Sequence, residues 1–368
     1  MIKPGHYNYI DFSRGVAILL VIMVHTGQHV SGFDGFLKKI TSWGQMGVQL
    51  FFVASALTLC ISWHSRGNER RKGLKFFIRR FFRIAPLYYL GIVFYFALSW
   101  VDSRYMEGYF ARNFNYTPSR VMDNMFFLHG LSQRSNNNIV PGGWSIGAEF
   151  LFYFSFPIIM MASTVVFKRN GLLKISLCMF IISLGWFLYV STRHGSYILN
   201  SYWYYNVLSQ LPAFAFGMLL YITLYKINFK INSKLYCAMA LLVVVSICIF
   251  NAQKNGALIW LNISIASSAF FMIILVVSKL NLRVSLIENI GVVSYSMYIS
   301  HFVLVWFFVP VLSREIEGYV NGAISFCVMY LITVFAAYFI SKMLYKYVES
   351  PFIKAGKNIT KKIDSFTK

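Results

Sequence analysis

The composition of this 368-residue chain excludes an ordinary soluble protein. Hydrophobic residues make up 58% of the chain and charged residues only 12%, whereas soluble globular domains carry about 25% charged residues. The net charge of +22 does not indicate nucleic-acid binding, because excess Lys and Arg in a membrane protein set its orientation. The five cysteines lie in apolar runs without metal-ligand spacing, so we expect no metal. The expected partner is the lipid bilayer, and not nucleic acid.

Apolar runs recur along the chain at about 20 residues, the length of an α-helix that crosses a bilayer. We predict an all-α, polytopic bundle of ten transmembrane helices, with residues 1–350 as the transmembrane domain and residues 351–368 as a basic cytoplasmic tail. The apolar stretch 123–131 is too short to cross, so we expect it to be re-entrant or interfacial. The predicted spans cover residues 10–29, 47–64, 84–101, 144–166, 172–191, 203–225, 234–251, 257–278, 290–312 and 320–346.

The distribution of Lys and Arg predicts how these helices are oriented. If the N-terminus is cytoplasmic, 25 of the 34 Lys and Arg residues fall in the cytoplasmic segments and nine fall outside. Membrane proteins concentrate positive charge in their cytoplasmic connections. We therefore predict that the N-terminus and the C-terminus both lie in the cytoplasm.

The first predicted span carries Asp11, Arg14 and His25, and ionisable groups inside a membrane helix usually have a function because they are costly there. At about 100° per residue the three share one face, but at about 1.5 Å rise Asp11 lies roughly 21 Å from His25. Asp11 and Arg14 are three residues apart and can pair at the cytoplasmic end. His25 is alone in the outer half of the span. It is either a structural histidine bonded to a backbone carbonyl or, as we favour, a residue that takes part in the chemistry.

Three arginines, Arg79, Arg80 and Arg83, lie at the cytoplasmic mouth of the third span. Topology alone accounts for positive charge at this position. Guanidinium groups also bind phosphate oxygens in a bidentate manner. The residues leave both interpretations open, and the second predicts a site for a phosphate-bearing ligand.

Glu149 lies in the fourth span, five residues after Trp144 and Ser145 open that helix. If Trp144 marks the outer boundary, Glu149 is about 7–8 Å inside it, and His25 is similarly placed in its own span. The two side chains can therefore meet, and a histidine with a carboxylate is the usual unit for orienting a general base. A polar contact between helices is the alternative. We predict His25 and Glu149 as the catalytic residues.

In the ninth span, Tyr298 and His301 are three residues apart and share a helix face near mid-membrane. Polar groups at such positions either line a pore, join two helices or act directly in the chemistry. The sequence leaves these roles open, and we assign both residues to the pore lining or the structure.

Taken together, these strings resemble the acyltransferase type 3 family of bacterial membrane proteins, which acylate cell-surface carbohydrates. The resemblance runs through nearly the whole chain, with six motifs in the family's order. One departure is Ala56, where the family usually has glycine, which puts the close packing of the second helix in doubt. The motifs are Asp11 to His25, Gly47 to Ser55, Arg80 to Tyr88, Trp144-Ser145 with Glu149, Phe152, Tyr153 and Pro157, Tyr295 to His301, and Tyr347 to Pro351.

The resemblance implies an O-acyltransferase of the bacterial cytoplasmic (inner) membrane. The donor would be cytoplasmic acyl-CoA, usually acetyl-CoA, and the acceptor a hydroxyl of a polysaccharide or lipid-linked sugar. It implies that His25 is essential and that Arg80 and Arg83 help to hold the donor. We assign Arg14, Arg79 and Tyr88 to the donor site with them. The residues left as pore-lining or structural are Asp11, Trp144, Ser145, Tyr298, His301 and Glu349.

Two mechanisms fit this assignment, and the sequence does not separate them. His25 either removes the proton of the sugar hydroxyl as it attacks the thioester, or is itself acylated and passes the group on. A proton-coupled transporter of an anionic or lipid-linked sugar solute is the rival function, although it would be expected to show an internal repeat, which the chain does not. A polysaccharide-export scaffold is a third possibility.

Overall fold

The computed structural model describes residues 7–67, 69–105, 114–193, 199–227, 232–252 and 256–365. Within them the chain is helical and contains no strand. Ten helical segments are long and apolar enough to cross a membrane, which confirms the predicted all-α bundle and its number of spans. They are Asn8–His29, Gly35–Ser65, Lys72–Tyr105, Gly143–Val165, Gly171–Arg193, Tyr202–Tyr225, Ser233–Ala252, Leu258–Leu280, Ser294–Glu315 and Gly322–Ile363.

Short 3-10 or π-helical segments interrupt several spans, so the helices are numbered individually. A 3-10 turn joins α2 to α3, and π turns follow α13 and α15. The helices are α1 (Asn8–His29), α2 (Gly35–Ser42), α3 (Gly47–Ser65), α4 (Lys72–Tyr105), α5 (Pro118–Met125), α6 (Gly143–Val165), α7 (Gly171–Arg193), α8 (Tyr202–Tyr205), α9 (Val207–Tyr225), α10 (Ser233–Ala252), α11 (Gly256–Leu280), α12 (Ser285–Val292), α13 (Ser294–Val303), α14 (Val309–Glu315), α15 (Gly322–Leu344) and α16 (Ser350–Ser365).

At the end of the bundle that is rich in Lys and Arg, two spans extend well beyond their predicted ends. Helix α4 begins at Lys72 rather than near residue 84, and α16 continues to Ser365 through residues predicted to be a tail. Hydropathy does not detect these extensions because Lys and Arg are good helix formers but are not apolar. The two pack together: a Cβ added to Gly356 would lie 2.7 Å from the Cβ of Phe82.

Helix α1 lies at the centre of the bundle, packed against α3, α12, α13 and α15. Its approach to α12 is close because both helices present a glycine at the crossing. A Cβ added to Gly15 would lie 2.1 Å from the carbonyl oxygen of Ile287, and one added to Gly291 would lie 1.8 Å from that of Asp11. Small residues of this kind let membrane helices pack backbone to backbone.

Gly291→Ala is therefore expected to destabilise the protein by about 1–3 kcal/mol or more, because the added methyl group cannot avoid a backbone atom. The matched control is Gly185→Ala in α7, where an added Cβ has no atom within 4 Å. Thermal unfolding of the purified protein in detergent measures both. Equal melting temperatures for the two variants would contradict the close crossing.

The departure from the family's glycine at Ala56 is accommodated by the helix that packs against it. Ala56 is fully buried, and a Cβ added to Gly217 of α9 would lie 2.6 Å from the Cβ of Ala56. The small residue that this crossing needs is thus supplied by Gly217, and α3 keeps its close packing.

Between α4 and α6 the structure describes residues 114–142, which fold into the bundle, and their apolar part does not form a further span. His129, Ile139 and Val140 are essentially buried, and the Tyr116 hydroxyl donates a hydrogen bond to the Ile139 carbonyl at 2.8 Å. A Cβ added to Gly147 of α6 would lie 2.6 Å from Nε2 of His129. This segment therefore covers the start of α6, which begins inside the protein rather than at its surface.

Candidate active site

Three adjoining cavities run along α1 from one end of the bundle towards the other. The first, called the basic cavity, has a volume of about 500 Å³. It shares Arg14 and Arg83 with a narrow passage of about 60 Å³. The passage shares Val48 and Tyr298 with a third space of about 380 Å³, called the histidine cavity because His25 lines it. A continuous row of side chains thus connects the predicted arginine site to His25.

The basic cavity carries an excess of positive charge. Two acidic side chains, Asp11 and Glu349, accompany five basic ones on its wall. A cleft lined by unbalanced positive charge attracts anions, and arginine is the side chain best suited to phosphate. The basic side chains are Arg14, Arg66, Arg80, Arg83 and Lys357.

The two predicted donor arginines of α4 that line the basic cavity are held in different ways. The Arg80 guanidinium lies 5.6 Å from the ring centre of Phe76 and 5.5 Å from that of Tyr153, within the range of cation–π attraction. Arg83 lies in the field of three carboxylates, of which Glu349 acts most strongly. Both guanidinium groups are therefore positioned before a ligand binds.

Arg79 does not line any of the three cavities. Its guanidinium makes two hydrogen bonds of 2.8 Å to the two carboxylate oxygens of Glu69. Neighbouring residues of a helix point about 100° apart, so Arg79 faces away when Arg80 faces the cavity. The structure separates it from the other two arginines.

Tyr88, which we also assigned to the donor site, lies outside the three cavities and is fully buried. Its hydroxyl donates to Oδ1 of Asn124 at 2.7 Å and lies 3.3 Å from Nε2 of His129. It joins α4 to the segment that covers the start of α6, so Tyr88 belongs to a buried polar network and not to the basic cavity.

Asp11, Arg14 and Glu349 lie together on the wall of the basic cavity, although they come from opposite ends of the chain. Arg14 donates to the Thr58 hydroxyl at 3.4 Å. Glu349, in the π turn before α16, is 2% exposed and accepts a hydrogen bond of 2.9 Å from Ser296. The closing motif of the chain is thereby built into the same site as the opening one.

The structure does not bring Glu149 to His25. Glu149 lines the narrow passage, where its carboxylate accepts hydrogen bonds from Ser55 at 2.5 Å and from Tyr153. Trp144, which we took as the outer boundary, lines the histidine cavity at the level of His25. Because α6 starts inside the protein, Glu149 lies about 7–8 Å deeper than that level, towards the arginines.

His25 instead contacts His301 and Phe302 of α13. The ring centres lie 5.5 Å from His301 and 4.7 Å from Phe302. Nδ1 of His25 lies 3.1 Å from Oε1 of Gln28. An amide oxygen only accepts hydrogen bonds, so Nδ1 carries the proton and Nε2 has a free lone pair. His25 is thus held in the form that acts as a base or a nucleophile.

A small hydrogen-bonded group lies where the passage meets the histidine cavity. The Ser145 hydroxyl lies 2.8 Å from that of Tyr298, and both oxygens lie 3.0 Å from the carbonyl oxygen of Gly142. Gly142 has φ of +69°, and a Cβ there would lie 2.7 Å from the Tyr298 hydroxyl, so only glycine fits. These bonds hold Tyr298 in place at the point where the two spaces join.

The rest of the histidine cavity is lined by amide and aromatic side chains. Trp144 stacks on Tyr205 with ring centres 4.6 Å apart, and Gln45 donates to Asn200 at 2.6 Å. Among the described residues that line it, none is an Asp, Glu, Lys or Arg. The amides are Gln28, Gln45, Asn137 and Asn200, and the aromatic residues are Phe114, Trp144, Tyr205, Tyr298, Phe302 and Trp306.

Comparison with known protein families identifies the family of this chain. The model of the acyltransferase type 3 family, described as an acyltransferase domain, matches residues 7–342. The chain belongs to that family. No curated protein and no solved structure matches the chain. With ten candidate membrane spans, the protein is a multi-pass membrane acyltransferase, and the predicted resemblance is confirmed.

Several residues of this acyltransferase's cavities were not singled out from the sequence. Gln28 is one helical turn beyond His25, a signal that was available in the first span. Asn137 and Asn200 come from connections between spans, where a polar side chain has no distinguishing pattern. Ser55 lies in a recognised motif, but only the fold shows that it bonds to Glu149.

The described part of this acyltransferase contains no group of three or more His, Cys, Asp or Glu side chains placed to hold a metal ion. Among the described residues, the ionisable side chains that line the three cavities are arginines, one lysine, one histidine, tyrosines and three carboxylates.

Proposed function

We propose that the protein transfers an acyl group, acetyl in the simplest case, from acyl-CoA to a hydroxyl of a cell-surface polysaccharide or lipid-linked sugar. The observation that carries this proposal is the series of three cavities, which links an excess of guanidinium groups to an imidazole with a free lone pair. Acyl-CoA has matching parts: an anionic nucleotide, a slender arm and a terminal thioester.

The basic cavity suits the nucleotide end of the donor. The phosphates of CoA are bound by Arg80, Arg83 and Arg14, because arginine binds phosphate oxygens through several charge-assisted hydrogen bonds. The passage, at about 60 Å³, is too small for a sugar ring or a nucleotide, so it takes only the unbranched end of the pantetheine arm, next to the thioester. The arm thereby presents the thioester to the histidine cavity.

The histidine cavity suits the acceptor. Amide side chains both donate and accept hydrogen bonds, as sugar hydroxyls require, and aromatic rings offer flat apolar surfaces to the faces of a sugar ring. The acceptor hydroxyl lies against Nε2 of His25, which takes its proton while the hydroxyl oxygen attacks the thioester carbon. The C–S bond then breaks, and the CoA thiolate recovers the proton from His25. The acyl-histidine route, in which Nε2 attacks first, uses the same lone pair.

Glu149 acts in this scheme as a positioning residue rather than as the partner of His25. It holds Ser55 and Tyr153 in the passage, and Tyr153 in turn covers the Arg80 guanidinium. Its negative charge also offsets those of Arg14, Arg80 and Arg83, which limits their mutual repulsion when no donor is bound.

The basic end of the bundle faces the cytoplasm in this proposal, in the cytoplasmic membrane of a bacterium. The excess of Lys and Arg supports that orientation, because the basic cavity lies at the end where α4 and α16 extend with their basic residues. Acyl-CoA then reaches its site from the cytoplasm, and the acceptor reaches His25 from outside. The acyl group crosses the membrane without the donor crossing it.

The test is acyl transfer in the purified protein. Glycan extracted from cells that lack the gene serves as the acceptor, and acetyl-CoA serves as the donor. We expect release of free CoA thiol that depends on the glycan, and addition of the mass of an acetyl group to the glycan by mass spectrometry. If surface glycans from cells with and without the gene carry the same acyl groups, and no thiol is released, the proposal is wrong. A transporter would move solute without cleaving the thioester.

A further inference from the structure

His301, the histidine of α13 that lies beside His25, has one nitrogen that the fold does not account for. The side chain is fully buried. Its Nδ1 lies 3.1 Å from the Met297 carbonyl oxygen and 2.9 Å from that of Tyr298. Carbonyl oxygens only accept, so the proton is on Nδ1 and Nε2 has a free lone pair. Within the described part of the chain, that Nε2 has no hydrogen-bond partner.

A buried acceptor without a partner costs free energy and calls for an explanation. His25 carries its proton on the same nitrogen, since its Nδ1 is bound to Gln28. The two rings lie 5.5 Å apart between centres. Two imidazoles that both have a bare Nε2 cannot hydrogen-bond to each other while they are neutral. They can do so once a proton is added to one of them.

We propose that His301 is a positioning residue for His25, which it serves by accepting a hydrogen bond from the protonated Nε2 of that residue, directly or through one water. This rests on the proposed function. The proton leaves the acceptor hydroxyl as its oxygen bonds to the thioester carbon, and it binds to Nε2 of His25. The lone pair of His301 stabilises the resulting cation in a buried site. The proton passes to the CoA thiolate when the C–S bond breaks, and both histidines are neutral again.

No carboxylate near His25 can accept the hydrogen bond from its protonated ring, among the residues that the structure describes. The titratable side chains that face His25 among the described residues are His29 on its own helix, His301 on α13, and the hydroxyls of Tyr205 and Tyr298 on the cavity wall. None of them is a carboxylate that would stabilise an imidazolium ion. The group we assign to this role is Nε2 of His301. It is a neutral acceptor, and two backbone carbonyls hold the His301 ring in place.

Two substitutions separate the two nitrogens of His301. His301→Asn keeps a donor where Nδ1 was, so that the bonds to the Met297 and Tyr298 carbonyls are retained, but it has no group at the position of Nε2. His301→Gln places an acceptor near the position of Nε2. The measurement is the rate of acetyl transfer from acetyl-CoA as a function of pH, with thermal unfolding as the check on folding.

We expect His301→Asn to lower the plateau rate by about 10- to 100-fold and to move the acid limb of the profile to lower pH by about one unit, because the protonated form of His25 loses a hydrogen bond. His301→Gln is expected to keep the acid limb in place and to recover most of the rate. If both variants lower the rate alike and neither moves the limb, His301 only fills space and the proposal is wrong.

A second measurement needs no substrate. Diethyl pyrocarbonate modifies the unprotonated imidazole, so the pH midpoint for modification of the His25 peptide, followed by mass spectrometry, reports its protonation. That midpoint is expected to fall in His301→Asn and to hold in His301→Gln. A moving midpoint in a protein without transferase activity would reject the proposed function alone. If the wild type shows the expected transferase activity but His301→Asn moves neither the midpoint nor the acid limb, the pairing of His25 with His301 is rejected and the proposed function is not.

Discussion

The His25→Ala variant is expected to lower acyl transfer by about 10²- to 10⁴-fold, the contribution of a positioned base or nucleophile. The basic cavity lies on the far side of the passage, so CoA affinity should change little and the loss should fall on kcat. Release of CoA thiol from acetyl-CoA in the presence of the glycan acceptor measures the rate. Titration of the protein with CoA measures the affinity.

The matched control is His29→Ala. His29 lies one turn further along α1 and is not among the residues that line the histidine cavity, so its loss should leave the rate within a few-fold of wild type. Thiol release that survives in His25→Ala would remove His25 from the chemistry. Incubation with acetyl-CoA in the absence of acceptor, followed by mass spectrometry of the His25 peptide, separates the two mechanisms, because only the nucleophilic route leaves an acetyl group on the ring.

The second large effect is expected at Arg80. Arg80→Gln should weaken CoA binding by about 10- to 100-fold, since a hydrogen bond to a charged group contributes about 1.5–3 kcal/mol. The loss should appear in the Kd for CoA and the KM for acyl-CoA, with kcat less affected. The affinity of the wild type should also fall as salt is raised, because a phosphate site formed by arginines is screened.

Arg79→Gln is a control one residue away with the same chemistry. Its guanidinium is bound by Glu69 and lies away from the basic cavity, so CoA affinity should hold even if stability falls slightly. The contrast between adjacent arginines distinguishes a specific site from the general positive charge of this end of the bundle. Equal losses of affinity in the two variants would reject the assignment of the basic cavity to the donor.

The sequence could predict which ionisable side chains lie inside the bundle, because an ionisable side chain in an apolar helix is easily recognised. Each of five such side chains lines at least one of the three cavities: His25, Glu149, Arg80, Arg83 and Glu349. The pairing between them could not be predicted in the same way. Spacing within one helix reports the angle and rise between its own residues, but contains no information on which residue of another helix lies opposite.

The depth argument for His25 and Glu149 shows where such reasoning ends. It took the start of α6 as the membrane boundary, and the segment before α6 instead folds over that start, with His129 and Val140 buried against the bundle. Depth counted from Trp144 was therefore counted from the wrong surface. The same limit applies to Arg79 and Tyr88, whose partners Glu69 and Asn124 lie between the predicted spans, where hydropathy does not fix the position of a residue.

By itself the sequence determined that this protein is an all-α membrane protein with ten spans, and that it carries the motifs of the acyltransferase type 3 family. These properties depend only on composition and on the order of residues along the chain. A span is recognised by its apolar length, because the bilayer requires it, and a motif by its residues. Only the tertiary structure decided that the arginines and His25 lie at opposite ends of one series of cavities, that Glu149 belongs with the arginines, and that His25 lies beside His301. Those are contacts between residues far apart in the chain, and they arise as α1 packs against α12, where each helix presents a glycine, and against α13.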